Sequence, residues 1–188
     1  MTARQGWIGR LALGAGLLMW IASAPPAAAK SKGAAAEDQI KQIAGWVERI
    51  TLLPSRTLAV AKLDTGAKTS SIHAEEIVRF ERGGRAWVRY TLVLKESRTK
   101  TERVATESPL MRKVYIKDHQ SQPDSRPVVE LEFCMDGRRH SAHFSLVDRS
   151  AFLYSVLLGR DFLAGSFVVD PEATFLTGAS CGPETEAP

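Results

Sequence analysis

Cysteine is almost absent from this chain: two residues, Cys134 and Cys181, stand in 188. No His-Glu-x-x-His occurs, so the commonest zinc-protease helix is excluded, and no glycine-rich loop ends in Gly-Lys-Ser/Thr, which excludes the usual phosphate cradle. The longest apolar run, Leu11 to Ala24, is fourteen residues, too short for a comfortable membrane span. Charge of one sign is also lacking. The formal net charge is +4, and it falls to +2 without residues 1–29, which hold two bases and no acids. With aromatics at 7% and no arginine-rich helix carrying interleaved aromatics, nucleic acid is not an expected partner. There is no internal repeat.

Arg4 and Arg10 precede the fourteen-residue run, and Pro25-Pro26 and Ala27-Ala28-Ala29 follow it. A basic start, a short apolar core and an Ala-x-Ala end read as a secretory signal peptide over residues 1–29. The alternative is an uncleaved anchor, which Pro25-Pro26 opposes by breaking a helix before the processing site. The expected product is exported, periplasmic, and without a stable membrane span. About 159 residues remain, enough for one domain. In an exported protein Cys134 and Cys181 can form a disulfide tying the tail to the Phe133 strand; a buried thiol and a tail thiol that never meet is the alternative.

Residues 30–49 read as a linker and short N-terminal segment. Ile40, Ile43, Val47 and Ile50 are spaced for a short amphipathic helix or a turn into the first strand, although Gly45 and Trp46 weaken that pattern. From Leu52 the period shortens to two. Strands are expected at Thr57–Leu63; at Ser70–Phe80, with Ile72, Ala74 and Ile77 inward; and at Ala86–Leu94. Val104–Ile116, Val128–Phe133, His140–Val147 and Phe167–Asp170 complete the set. Gly83-Gly84 and Asp136-Gly137 mark hairpin turns. Lys95–Arg103 is expected as a solvated loop or hairpin tip, His119–Pro127 as a loop, Asp161–Ala164 as a short helix, and residues 177–188 as a flexible tail. Many short strands with hardly any helix imply an all-β barrel or sandwich.

Two stretches carry chemistry. Leu63-Asp64-Thr65-Gly66-Ala67 ends a strand in an acid, a hydroxyl and a glycine, and Val156-Leu157-Leu158-Gly159-Arg160-Asp161 follows about ninety-five residues later. Together they resemble the retropepsin-like aspartic proteases. More narrowly, Asp64 to Ala74 with Ser145-Leu146-Val147-Asp148-Arg149 and Leu157-Leu158-Gly159-Arg160 is similar to the bacterial family labelled ATP-dependent zinc protease. The resemblance covers residues 50–176. It implies a small closed β-barrel with one short helix after the Gly-Arg-Asp turn, and Asp64, Thr65 and Gly66 as the catalytic turn. Ala67, Lys68, Gly159, Arg160 and Asp161 would support that turn and the substrate.

Hydrolysis by carboxylates needs two acids sharing one proton across a water. This chain supplies one such acid, so a catalytic dyad requires a homodimer in which Asp64 meets its twin. The expected function is therefore an exported aspartic endopeptidase acting on a peptide or protein substrate. The alternative is a catalytically silent module that binds a peptide or envelope partner on the same fold. A plainer reading of Asp64 is that it only caps its turn.

Retropepsins commonly carry an acid where Lys68 stands, paired with the arginine of Gly-Arg. Here Lys68 either pairs with Asp161 or points to solvent; close to Asp64 it would lower that carboxyl's pKa. No cofactor is expected, since these residues support neither the ATP nor the zinc of the family label. His73 is a weak metal candidate. His140 and His143 are three apart on a strand and so face opposite ways. The run Arg98, Lys100, Arg103, Arg112, Lys113 and Lys117 could line a groove for an acidic peptide or glycan, or be a solvated face. Glu107-Ser108-Pro109-Leu110 is expected to shape the cleft.

Overall fold

The computed structural model describes residues 40–116 and 124–182. The expectations for residues 1–29, for the linker up to residue 39 and for Lys117 lie outside those residues. In chain order the elements are β1 (Gln42–Leu52), β2 (Thr57–Leu63), β3 (Ser70–Arg82), β4 (Arg85–Lys95), β5 (Thr101–Pro109), β6 (Arg112–Ile116), β7 (Asp124–Met135), β8 (Arg138–Val147), β9 (Val156–Leu158), α1 (Arg160–Leu163) and β10 (Phe167–Thr174). The order β1-β2-β9-β3-β8-β7 closes on itself, because β1 also meets β7 at Thr51↔Cys134 and Leu52↔Phe133. The result is a closed six-stranded barrel with, among the described residues, one four-residue helix, the architecture that the retropepsin resemblance implies.

Alternation fills the barrel. On β2, Thr57, Ala59, Ala61 and Leu63 point inward and are buried, while Leu58, Val60 and Lys62 are half exposed. Small alanines at the centre leave room for Tyr90, Phe133 and Phe144, all buried. Each such side chain contributes roughly 1.5–3 kcal/mol by leaving water. On β4, Val88, Tyr90, Leu92 and Leu94 share the core face as the period of two requires. Both hairpin turns form as expected, with positive φ at Gly83 and Gly84 and at Asp136 and Gly137.

Several expectations are corrected. Residues 42–52 form a strand, not a helix. The apolar spacing suited either period, and β10, β2 and β7 all offer this segment ladder partners. Gly45 permits the parallel approach of β10, since a Cβ there would stand 2.5 Å from the Ala173 carbonyl oxygen. Ile77 is 36% exposed and not inward, because a bulge at Glu75–Val78, with Glu76 at φ 54°, turns the rest of β3 over. For Lys95–Arg103 the hairpin-tip alternative holds, a five-residue turn joining antiparallel β4 and β5 between Lys95 and Thr101. The expected strand at 104–116 is two, β5 and β6, with a corner at Leu110-Met111. β7 begins at Asp124, inside the expected loop, and β10 runs on to Thr174.

The chain past Leu176 is held up to Gly182. Glu48, fully buried in β1, accepts hydrogen bonds from the backbone N–H of Gly45 (2.6 Å), Leu176 (2.9 Å) and Thr177 (3.1 Å) and from the Thr177 hydroxyl (3.0 Å). Cys134 and Cys181 are joined in a disulfide.

Replacing Glu48 with alanine leaves three backbone donors without acceptors in a dry site. The expected loss is about 3 kcal/mol, read as a lower urea midpoint with loss of protection from amide exchange at Leu176 and Thr177.

Candidate active site

β2 delivers Asp64 at the mouth of the barrel. Its backbone N–H donates to the Leu158 carbonyl (2.9 Å), continuing the parallel β2–β9 pairing of Leu63 with Leu158. The chain then turns sharply, and Asp64 Oδ1 accepts the N–H groups of Gly66 (2.9 Å) and Ala67 (3.1 Å). One carboxyl oxygen is fixed by the turn. Thr65 and Gly66 are exposed, and the Thr65 hydroxyl makes no hydrogen bond among the described residues. Asp64 thus does cap its turn through Oδ1, which leaves Oδ2 outside the turn's own hydrogen bonds.

Gly159 and Arg160 lock that turn from behind. A Cβ at Gly159 would lie 2.7 Å from the backbone of Thr69, so only glycine lets the two segments touch. Arg160 donates from Nη1 to the carbonyls of Thr65 (2.9 Å) and Gly66 (2.8 Å), and the backbone N–H groups of Arg160 and Asp161 donate to Ala67 and Lys68 (both 2.9 Å). Lys68 is exposed and does not pair with Asp161; of the two alternatives the solvent-facing one holds.

The cation beside Asp64 is Lys62 instead. Lys62 and Asp64 are two apart on the same face of β2, and Nζ stands 3.2 Å from Oδ2. Burial pushes the Asp64 carboxyl up, but Lys62 and the two turn N–H groups together outweigh it and hold the group below its ordinary value. Alternation alone would have placed Lys62 there. Arg149 was legible only as part of a motif. It is 8% exposed, its Nη1 donates to the Ser71 hydroxyl (2.9 Å) and its Nε to the Tyr154 carbonyl (3.2 Å), and it lies over the Phe152 ring at 4.7 Å. Burial lowers its pKa, Asp64 raises it and Arg126 lowers it again, which sets the guanidinium in the field of the Asp64 carboxyl.

The Ser70-Ser71-Ile72-His73 strand supports these groups. Ser70 Oγ accepts from Gly159 N–H (3.1 Å), and the Ser145 hydroxyl donates to the Ser70 carbonyl (3.2 Å). Buried His73 uses Nδ1 to accept the Arg149 backbone N–H (2.9 Å), leaving Nε2 facing Glu75 at 3.5 Å. That geometry makes His73 a support for the Arg149 loop. Among the described residues no three His, Cys, Asp or Glu side chains are grouped to hold a metal. His140 packs among Phe133, Phe162 and Phe167, with burial lowering its pKa, and His143 is exposed on the other face.

The basic run does not form one groove. Arg98 lines a cavity of about 460 Å³ with Arg49, Val60, Tyr154 and Phe175, and Asp64 is not part of its wall. Lys100 pairs with Glu96 and Arg103 with Glu75, while Arg112 and Lys113 sit on β6. Glu107 ties β5 to Arg82 of β3 and Arg89 of β4, and the Ser108 and Tyr90 hydroxyls bond at 2.8 Å.

Residues 43–179 match the family model of the retropepsin-like aspartic endopeptidase RimB. The chain belongs to the RimB-like family. A crystal structure of a Legionella pneumophila protein of unknown function superposes with a TM-score of 0.60 at 36% identity, covering 71% of this chain and 96% of the other. Proteins named "Probable alpha-L-glutamate ligase" are similar too: 32% identity over 127 residues in Shewanella pealeana, covering 67% of this chain and 27% of that protein, and 30% over 119 residues in Parasynechococcus marenigrum, covering 63% and 25%. The RimB-like chain therefore spans about a quarter of the length of these relatives.

Two outcomes are expected of this geometry. Gly159→Ala must push the Thr69 backbone away and is expected to cost about 1–3 kcal/mol, seen as a fall in Tm. Lys62→Met removes an influence that lowers the Asp64 pKa, so the carboxyl rises. Any activity that needs its proton then persists to higher pH, the descending limb of the pH profile moving up.

Proposed function

We propose that this RimB-like chain is an exported endopeptidase in which Asp64 and Asp64 of the partner subunit share one proton across a water. The observation that carries the reading is the Asp64 turn: Oδ1 is pinned by two N–H groups and Oδ2 is met only by Lys62 Nζ at 3.2 Å, with Thr65 and Gly66 exposed beside it. Two carboxyls brought together cannot both ionise, so one holds the proton. The ionised carboxylate takes a proton from the water as it attacks the scissile carbonyl, and the protonated carboxyl donates to the carbonyl oxygen. Collapse of the tetrahedral species returns a proton to the leaving amine. In such a dimer the exposed Thr65 hydroxyl would be free to bond across the two-fold axis. Export rests on the basic, apolar and Ala-x-Ala order of residues 1–29.

The cations Lys62 and Arg149 near Asp64 favour peptides that carry carboxylates. The names of the glutamate ligase relatives agree with a glutamate-bearing substrate. One observation favours the second reading, a silent binding module: Lys62 keeps the acid ionised, which opposes a shared proton. The two readings part on one experiment. Purified protein is expected to cleave denatured or glutamate-rich peptides at mildly acid pH, with activity rising as the square of concentration below the dimer dissociation constant. Asp64→Asn is expected to lower the rate at least about a thousandfold with an unchanged far-UV spectrum. A wild type and mutant equally inert, yet binding the same peptide, would favour the module; a monomer that hydrolyses peptides would exclude the shared-proton mechanism.

A further inference from the structure

The segment from Phe175 to Gly182 crosses between two strands that the barrel joins weakly. At β1, Phe175 N–H donates to the Val47 carbonyl (2.8 Å), Arg49 covers the Phe175 ring at 3.9 Å, and Glu48 holds Leu176 and Thr177. At the turn between β7 and β8, Asp136 N–H donates to the Gly178 carbonyl (2.7 Å), Gly182 N–H donates to the Gly137 carbonyl (2.6 Å), Gly137 bridges Cys181, and the disulfide joins Cys181 to Cys134. The seam so spanned, β1 with β7, has two paired residues on each strand. Between the two anchorages stands Gly178, exposed and with nothing within 4 Å of where a Cβ would lie.

The two anchorages differ in chemistry. The Glu48 carboxyl is dry and has four donors around it. The disulfide instead lines a cavity of about 460 Å³ together with Thr51, Arg56, Arg139 and Gly182. Cys134 is 3% exposed, whereas Cys181 is partly open to that cavity. Arg139 stands opposite Cys134 in the β7–β8 ladder and also pairs with Glu132 at 3.7 Å.

We propose that the Cys134–Cys181 bond is a reducible clasp, opened by a dithiol reductant, which frees residues 178–182 from the β7–β8 turn while Glu48 keeps Phe175–Thr177 on β1. One thiolate of the reductant attacks Sγ of Cys181 from the cavity, forming a mixed disulfide and expelling the Cys134 thiolate beside Arg139 and Arg56. Neighbouring cations make a thiolate a better leaving group. The second thiol of the reductant then attacks its own sulfur in the mixed disulfide and expels the Cys181 thiolate. Both thiolates take up protons, so the protein gains two electrons and two protons and the dithiol becomes a disulfide. Closed, the clasp completes the strap across the seam; open, it leaves the barrel intact with residues 178–182 released from the β7–β8 turn.

The test uses the full chain, oxidised and after excess dithiothreitol without denaturant, with thiols counted by alkylation and backbone amides followed by hydrogen exchange. Reduction is expected to expose two thiols and to lower protection at Asp136 and Gly182 by roughly tenfold or more, with Phe175, Leu176, Thr177 and the barrel strands unchanged. Cys181→Ser, at the more open end of the bond, is expected to reproduce that pattern without reductant. Three results would each overturn the proposal: a bond that resists dithiothreitol until the chain is denatured, loss of protection at residues 175–177 together with the barrel, or protection at Asp136 and Gly182 that survives reduction.

Discussion

Everything at the mouth of the barrel depends on how closely the Gly159 backbone lies against that of Thr69. That approach lets Arg160 reach over the turn to the carbonyls of Thr65 and Gly66, and brings the N–H groups of Arg160 and Asp161 onto Ala67 and Lys68. The turn has no strand neighbours of its own, and four of its carbonyls would otherwise face solvent or each other. Satisfied by a guanidinium and two N–H groups, they hold still, and the Asp64 carboxyl is held with them. The pair of stretches ninety-five residues apart is thus one object: β9 and α1 exist to present Gly159 and Arg160 to the end of β2.

A second set of polar contacts extends that object sideways. Consecutive residues of β3 serve different neighbours because successive side chains face opposite ways: Ser70 accepts from Gly159, Ser71 receives the Arg149 guanidinium, and His73 receives the Arg149 backbone. His73 is two residues from Ser71 and on the same face, so both grip the same loop. Their burial makes the role structural, and its product is a cation set into the field of Asp64. Lys62 adds another from β2. The mouth therefore sets cations beside a lone acid.

The strands from 57 to 63, 85 to 95 and 138 to 147 were legible because alternation and glycine turns agree there, each local preference matching its place in the barrel. The segment 42–52 was not, because Ile43, Val47 and Ile50 fit a helix as well as a strand, and ladder partners from distant parts of the chain decided between them. Glu48 gave no warning either. A glutamate in an amphipathic pattern reads as surface, and only the returning segment at Leu176–Thr177 makes its burial tolerable. At Ile77 the error came from a single bulged residue, Glu76, which inverts the faces of the remainder of β3.

The sequence by itself determined the all-β class, the positions of the hairpin turns, and the acid and glycine-arginine stretches that define the family, since each rests on residue type and short spacing. Tertiary structure alone decided that Cys134 meets Cys181, that Arg149 is buried against Ser71 in the field of Asp64, and that His73 supports a loop. Those outcomes depend on which strands become neighbours. A closed barrel sets that by register between segments far apart in the chain, which no local pattern records.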